Sequence, residues 1–267
     1  MVTNFSDMII AQAKACGADL AGIAAMADVL QAPSFRIRNR LPAFNGVGTL
    51  PGALSRQNAA PWPPEAKSAI VLAVAHPAEK PQLDWWVTGP GSGNTAGNRL
   101  LMAVVERLAA WLEEKQSIHS FRMPYHIEKG GVYLKDAAVM AGLGCIGKNN
   151  LLITPQFGPR VRLRVMLIDT LLPATGPIAY DPCHRCPRPC MQACPHQAFA
   201  RMIYNPMDYG LDTLPGRSGT YDRSRCNRQM ESDESNGSAI STEGWSTAGI
   251  QVKYCRACEL ACPIGRQ

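Results

Sequence analysis

Eight of the ten cysteines of this 267-residue chain fall between Cys183 and Cys262, at regular spacings. Cys183, Cys186, Cys190 and Cys194-Pro195 open the stretch, Cys255, Cys258 and Cys262-Pro263 close it, and Cys226 stands alone between them. The fold of the last third must bring these thiols around something. Disulfides are disfavoured, because small disulfide scaffolds carry more than about 8–10% cysteine and ten in 267 falls well short. Residues 1–20 also lack the basic start and long apolar run of a secretory leader. The expected setting is therefore cytoplasmic, where spaced cysteines more often bind metal or do chemistry. Zinc is the second reading, since paired C-x2-C motifs can make a four-cysteine site.

The Cys-Pro endings and the count favour a third reading. The two runs resemble the iron–sulfur segment of bacterial two-cluster ferredoxins, in which the Cys before Pro ligates the other cluster. Two [4Fe-4S] clusters need about eight thiolates, the number present here. They also change the charge argument. The formal net charge is +6, and two thiolate-bound clusters of about −2 each bring it to around +2. With no Lys/Arg run longer than two residues, the chain does not read as a nucleic-acid binder. No apolar stretch approaches the ~20 residues of a membrane span. A hydrophobic content of 46% with 18% charged residues describes an ordinary globular core, in one large or two modest domains.

Along the chain, residues 6–16 read as an amphipathic helix capped by Ser6, with Met8, Ile9, Ala13 and Cys16 inward. Leu20–Ala24 reads as a short strand. Residues 31–66 read as irregular, because Pro33, Pro42, Pro51, Pro61, Pro63 and Pro64 exclude long elements. Ala69–Ala75 is apolar without alternation and ends at His76-Pro77, which predicts a strand covered on both faces. Residues 84–97, with Trp85 and Trp86, form a Gly-rich loop that is either a lid over a flat ligand or an ordinary surface loop. Asn98–Lys115 carries an apolar stripe of Leu101, Val104, Val105, Leu108, Trp111 and Leu112, a packing helix. Gly142, Gly144 and Gly147 spell G-x-G-x-x-G, but a helix precedes them and no βαβ unit surrounds them, so the dinucleotide reading is rejected. The glycines instead mark close backbone approach. Val161–Asp169 alternates, with Val161, Leu163, Val165 and Leu167 on one face and Arg160, Arg162 and Arg164 on the other. That arginine face is expected to be solvated unless it lines a cavity. Residues 231–248, rich in Ser, Gly, Glu and Asp, read as a flexible excursion.

Three segments carry a family resemblance. They are Ala141-Gly142-Leu143-Gly144-Cys145-Ile146-Gly147-Lys148-Asn149, the cysteine set with Cys226 inside Tyr221-Asp222-Arg223-Ser224-Arg225-Cys226, and, more weakly, Pro64–Val71. Together they resemble the iron–sulfur, cobalamin-dependent reductases, a superfamily of epoxyqueuosine reductases and, more distantly, reductive dehalogenases. The resemblance implies an α+β chain. Residues 1–175 would form an α/β, nitroreductase-like domain of the cobalamin-binding type, and residues 176–267 a ferredoxin-like domain with two [4Fe-4S] clusters. Cys183, Cys186, Cys190 and Cys262 would hold one cluster, and Cys194, Cys226, Cys255 and Cys258 the other. Gly142, Gly144, Cys145, Gly147, Lys148 and Asn149 would line the cofactor. The proton donor would fall among Tyr125, His126 and Glu128.

The chain departs from that pattern in four ways. Its first motif is C-x2-C-x3-C-x3-C, one residue longer than usual, with the extra residue in Pro187-Arg188-Pro189. Cys145 stands where the signature has Trp. No Asp occupies the expected place before Ala141. The chain also stops five residues after Cys262, so a small-molecule substrate is expected rather than tRNA. The implied function is an oxidoreductase, anaerobic and cytoplasmic, that passes electrons from an external ferredoxin- or flavodoxin-type donor through two clusters to cobalamin. The alternative is an electron-transfer protein, or a corrinoid-reducing partner, without substrate chemistry of its own. Flavin or another planar cofactor in the first domain is a third possibility.

Overall fold

The computed structural model describes residues 4–41, 44–49, 61–88, 93–210, 216–240 and 249–266. Pro42 and Pro51, the tip of the Gly-rich loop at 89–92 and residues 241–248 of the expected excursion lie outside them. The core is an antiparallel sheet built from β1 (Leu20–Ala25), β2 (Ser68–Ala75), β3 (Ser120–Arg122) and β4 (Val161–Ile168), in the order β1-β2-β4-β3. Register puts Val71 opposite Gly22 on one side and Val165 on the other.

Both faces of this sheet are covered, which is why β2 shows no alternation. On one face α1 (Phe5–Ala15) and α2 (Ala96–Gln116) bring Ile9, Ala13, Leu101, Leu108 and Leu112 against Ile23, Ile70, Leu72, Met166 and Ile168. On the other, Ala137 and Ala138 of α3 (Leu134–Met140) meet Ala69, Val71, Val165 and Leu167. The predicted stripe on α2 is buried except for Trp111, which is half-buried. The helix starts two residues before Asn98, because the Thr95 side chain accepts from the Asn98 N–H and caps it.

Several expectations need correction. The cap of α1 is Asn4, whose side chain accepts from the backbone N–H of Ser6. Ser6 is buried, with its hydroxyl donating to the Pro173 carbonyl. Within 31–66, Pro33 opens a short helix, Pro33–Arg36, because proline is tolerated in a first turn where its missing N–H costs nothing. The 84–97 stretch is not only loop: Trp86–Val87 pairs with Asn94–Thr95 and with Gly249–Val252. The expected excursion begins inside α4 (Arg223–Ser235), and Ser238–Ile240 pairs with Gly249–Val252. Polar composition hid that helix, which Asp222 caps and which Asn227–Glu231 and Gln229–Asp233 brace at i,i+4 spacing.

The glycine run follows α3 and leads into a hairpin of Cys145–Ile146 with Leu152–Ile153, without a βαβ unit. Gly142 has φ +75°, and a Cβ there would lie 2.6 Å from the Thr175 carbonyl oxygen. A Cβ on Gly144 would lie 2.0 Å from the carbonyl oxygen of Ile153. These glycines let two backbone segments touch.

The arginine face of β4 is not solvated. Arg162 pairs with Asp84, and Arg164 Nε donates to Asn98 Oδ1 at 3.2 Å. Arg160 is buried, and its guanidinium donates to the carbonyls of Glu259 (3.4 Å), Cys262 (3.3 Å) and Ile264. One side chain thus fastens the last cysteine turn to the sheet. Replacing Arg160 with Met keeps the stem and removes the donors. Buried acceptors left unsatisfied cost about 1–3 kcal/mol each, so Arg160→Met should lower stability by at least that amount in denaturant titration. An unchanged midpoint would contradict the fastening role.

Candidate cluster and cofactor site

All ten cysteines are free thiols. Their mutual electrostatics sort eight of them into two groups. Burial first raises both Cys190 and Cys262; Cys262, Cys183 and Cys186 then raise Cys190, while Cys183 and Cys186 raise Cys262 against the Ile264 N–H bond and Arg160. Cys258 is pushed up to about 12 by burial, then by Cys226, Cys255 and Cys194. Each group thus takes its last member from the far end of the stretch. The short helices that carry Cys190 (Pro189–Gln192) and Cys258 (Ala257–Leu260) pack on each other and make this exchange possible.

The spacing of the sulfurs tests what could sit among them. A tetrahedral zinc with Zn–S of about 2.3 Å draws its sulfurs to within roughly 4 Å of one another. Among the described residues, the one group of three or more possible ligands within 4.8 Å is His76, Asp84 and Glu259. No three cysteine sulfurs among the described residues lie within 4.8 Å of one another, so neither quartet is drawn in to the spacing of one tetrahedral ion. Backbone donors already reach the thiols: Ala198 N–H donates to Cys194 Sγ at 3.3 Å, and Ala257 N–H to Cys255 Sγ at 3.5 Å. Such bonds stabilise ligating sulfur and tune a cluster's potential. The residue added between Cys186 and Cys190 is absorbed by Arg188, which takes a left-handed conformation (φ +64°) before the Pro189–Gln192 helix.

Two adjoining cavities of about 620 and 660 Å³ open beside this region and share a wall of Ser34, Tyr133, Lys135, Asp136, Tyr221 and Arg223. Cys194, Cys226, Cys255 and Cys258 line the second cavity. The other quartet lines neither; Cys183 and Cys262 pack on Ile153 and against Cys145, Leu151, Tyr180 and Ile264. One quartet therefore borders the cavity and the other lies behind it.

Tyr125, His126 and Glu128 all line the first cavity. Tyr125 stacks edge-on with His126 at 5.6 Å, and the Arg164 guanidinium sits 5.3 Å from its ring centre. The Gly142–Asn149 residues are placed differently. Asn149 lines the second cavity, and its side chain donates to the Cys258 carbonyl at 3.4 Å. Gly142, Gly144, Cys145, Gly147 and Lys148 line neither cavity. Cys145 stands beside Cys183, raised to about 11 by burial first and then by that neighbour. Lys148 Nζ reaches the His184 carbonyl at 3.5 Å.

Sequence reasoning missed a buried network on the first cavity's wall. His76 Nδ1 bonds Asp84 Oδ2 at 2.5 Å, Arg256 Nη1 reaches the same oxygen at 2.8 Å, and Arg162 takes the other Asp84 oxygen. Arg256 also donates to the His76 carbonyl at 2.7 Å and to Glu259 at 3.0 Å. Burial works to raise the Asp84 pKa, but the His76 bond and the charges of Arg162, His76 and Arg256 outweigh it and hold the carboxyl below its usual range. With two guanidiniums on its carboxylates, this His-Asp-Glu group is an ion-pair lock rather than a metal box. Its members come from four separate segments, and no local pattern announces them.

Lys135 and Asp136 were also missed. Burial pushes the Lys135 ammonium down to about 8, while its Nζ donates to the Asn150 carbonyl at 2.6 Å. Burial raises Asp136, whose Oδ2 accepts from the Ser34 N–H at 2.9 Å. Together with Asn149 and Asn150 they give the cavities a mixed set of donors and acceptors able to meet a large polar ligand.

No helix among the described residues is long and apolar enough to cross a membrane. No protein-family model matches the chain. It is similar to an epoxyqueuosine reductase of Synechococcus sp., 39% identical over 102 residues, 38% of this chain and 31% of that protein. An epoxyqueuosine reductase of Bacillus cereus is 26% identical over 198 residues, 72% of this chain and 51% of that one. The chain thus spans about half the length, or less, of these curated relatives. Among solved structures, a selenomethionine-labelled epoxyqueuosine reductase aligns with TM-score 0.61 and 20% identity, covering 97% of this chain and 65% of its own. A reductive dehalogenase described with a mechanism for B12-dependent dehalogenation aligns with TM-score 0.61 and 17% identity, covering 98% of this chain and 32% of its own. Sequence and fold agree: the chain is similar to epoxyqueuosine reductases over part of its sequence and shares the fold of epoxyqueuosine reductases and reductive dehalogenases.

Proposed function

We propose that this protein is an iron–sulfur reductase that carries electrons through two [4Fe-4S] clusters to a cobalamin in the paired cavities, for reduction of a small molecule. The observation that carries the reading is the Cys194, Cys226, Cys255 and Cys258 quartet on the cavity wall, with the second quartet directly behind it. The proposed division is a cofactor and substrate region at residues 1–175 and a ferredoxin-type region at 176–267. When bound, clusters supply one-electron steps and cobalamin a metal centre at which a substrate is reduced.

The chain's own residues then have defined work. Cys183, Cys186, Cys190 and Cys262 hold the outer cluster, and Cys194, Cys226, Cys255 and Cys258 the inner one. Arg160 fixes the turn that bears Cys262, and Asn149 fixes the Cys258 carbonyl. Both limit movement of ligands whose spacing sets the electron path. Lys135 and Asp136 on the shared wall, and Asn150 on the second cavity, would offer hydrogen bonds to cofactor amides. Tyr125, His126 and Glu128 face the first cavity, where one of them can give a proton to the reduced substrate. The ion-pair lock of Asp84, Arg162 and Arg256 holds that cavity's far side.

Two measurements test this. Protein purified without oxygen should hold about eight irons per chain, and Cys226→Ser should hold about half as many because only the inner quartet loses a ligand. Fewer than four irons in the unaltered protein would return the zinc reading. Added cob(II)alamin should shift its absorption spectrum toward the base-off form. Full iron with no shift at high cobalamin excess would leave an electron carrier and sink the cobalamin reading.

A further inference from the structure

The outer quartet lies behind the cavity, and the loops that carry it face solvent. From Pro182 to Met207 the chain has no acidic residue, yet it holds Arg185, Arg188 and Arg201. Arg185 sits between Cys183 and Cys186, Arg188 between Cys186 and Cys190, and both are exposed. Neither side chain has a hydrogen-bond or ion-pair partner among the described residues, although the Arg188 carbonyl accepts from the Met191 and Gln192 N–H groups. Lys148 adds a third cation, since its Nζ touches the His184 carbonyl inside the same loop. The adjacent acid, Asp181, is already neutralised by Arg217 at 2.5 Å.

Arg188 carries the strongest hint. It occupies the left-handed region at φ +64°, where an L side chain costs about 1–2 kcal/mol and glycine sits without strain. Its side chain makes no hydrogen bond or ion pair among the described residues that repays this cost. The added residue of the first cysteine motif therefore holds a guanidinium out to solvent one peptide away from each of two prolines, beside the outer ligands.

We propose that this cationic loop, centred on Arg185 and Arg188, is the docking surface for a small acidic ferredoxin that delivers electrons to the outer cluster. The proposal rests on the two-cluster reading above. Its argument is charge complementarity: a solvent-facing patch of one sign over a redox centre raises encounter rates with an oppositely charged partner by ~10–10³, and salt screens the effect. Contact on residues 185 and 188 places the carrier directly against ligand-bearing turns. One electron leaves the reduced ferredoxin cluster and one enters the Cys183–Cys262 cluster, with no atom transferred.

The test follows bleaching of the protein's clusters by stopped flow after mixing with a reduced acidic ferredoxin, with reduced methyl viologen as a cationic control. Arg185→Glu with Arg188→Glu should slow ferredoxin-driven reduction about tenfold or more at low ionic strength and flatten its salt dependence. Methyl viologen should reduce the variant at least as fast as the unaltered protein. Arg188→Gly should slow the ferredoxin reaction too, although it relieves the backbone, so a loss there cannot be laid to misfolding. Unchanged ferredoxin rates with full iron in both variants would overturn the docking surface. Failure of methyl viologen to bleach the unaltered protein would instead mark failure of the two-cluster reading.

Discussion

The exchange of terminal cysteines between the two ends of the cluster stretch is the constraint on which the rest depends. Cys262 joins the group of Cys183, and Cys194 joins the group of Cys255. Neither quartet can form from one local run, so the helices at Pro189–Gln192 and Ala257–Leu260 have to pack face to face. That packing would be marginal alone, since each helix has only four residues and short helices gain little from propensity. What fixes it is the sheet. Arg160, just before β4, takes the carbonyls on the second side, and Gly142, by yielding space to Thr175, lets the segment leading to Cys183 pass close to α3.

The same junction explains why so much charge is buried beside the cavity. His76, Asp84, Arg162, Arg256 and Glu259 would each pay several kcal/mol for lost hydration if left alone. Paired as they are, every carboxylate meets a guanidinium. Removing one member would strand the others, so the network makes the joint between sheet and cysteine turns specific more than it makes it strong. Arg256 lies next to Cys255 and Glu259 next to Cys258. The lock and the inner quartet are therefore held by the same short turn.

Local rules were legible wherever one segment carried its own signal. Ala69–Ala75 declared a strand covered on both faces, the α2 stripe declared its core side, and the glycines at 142 and 144 declared backbone contact without a nucleotide site. Cysteine spacing marked the eight thiols that gather in the last third. The cap of α1 was misread because Ser6 and Asn4 are both good capping residues and only tertiary contact, the Pro173 carbonyl, claims the Ser6 hydroxyl. Helix α4 was misread because polar side chains that brace it at i,i+4 look like a loop in composition. The His76 network could not be read at all, because it joins residues 76, 84, 162 and 256, which no periodicity links.

Placement of the AGLGCIGKN segment sharpens what that motif does in this chain. Its resemblance points to the cofactor, yet Cys145 packs with Cys183 and Cys262, and of the segment Ile146 and Asn149 reach the cavity. The segment therefore works as a wall between the outer quartet and the cavity, with Ile146 and Asn149 on the cavity side and Asn149 bonded to the Cys258 carbonyl. A bulky indole at position 145 would compete for that wall with Tyr180 and Leu151, whereas a thiol leaves the space to them. The small residue at 145 and the long loop at Arg188 both fall around the outer quartet. The cavity side keeps its dense lining of Tyr133, Lys135, Asp136 and Tyr221. Two of the four departures of this chain thus gather around the quartet that lines neither cavity, while the missing Asp falls on the cavity side beside Glu128.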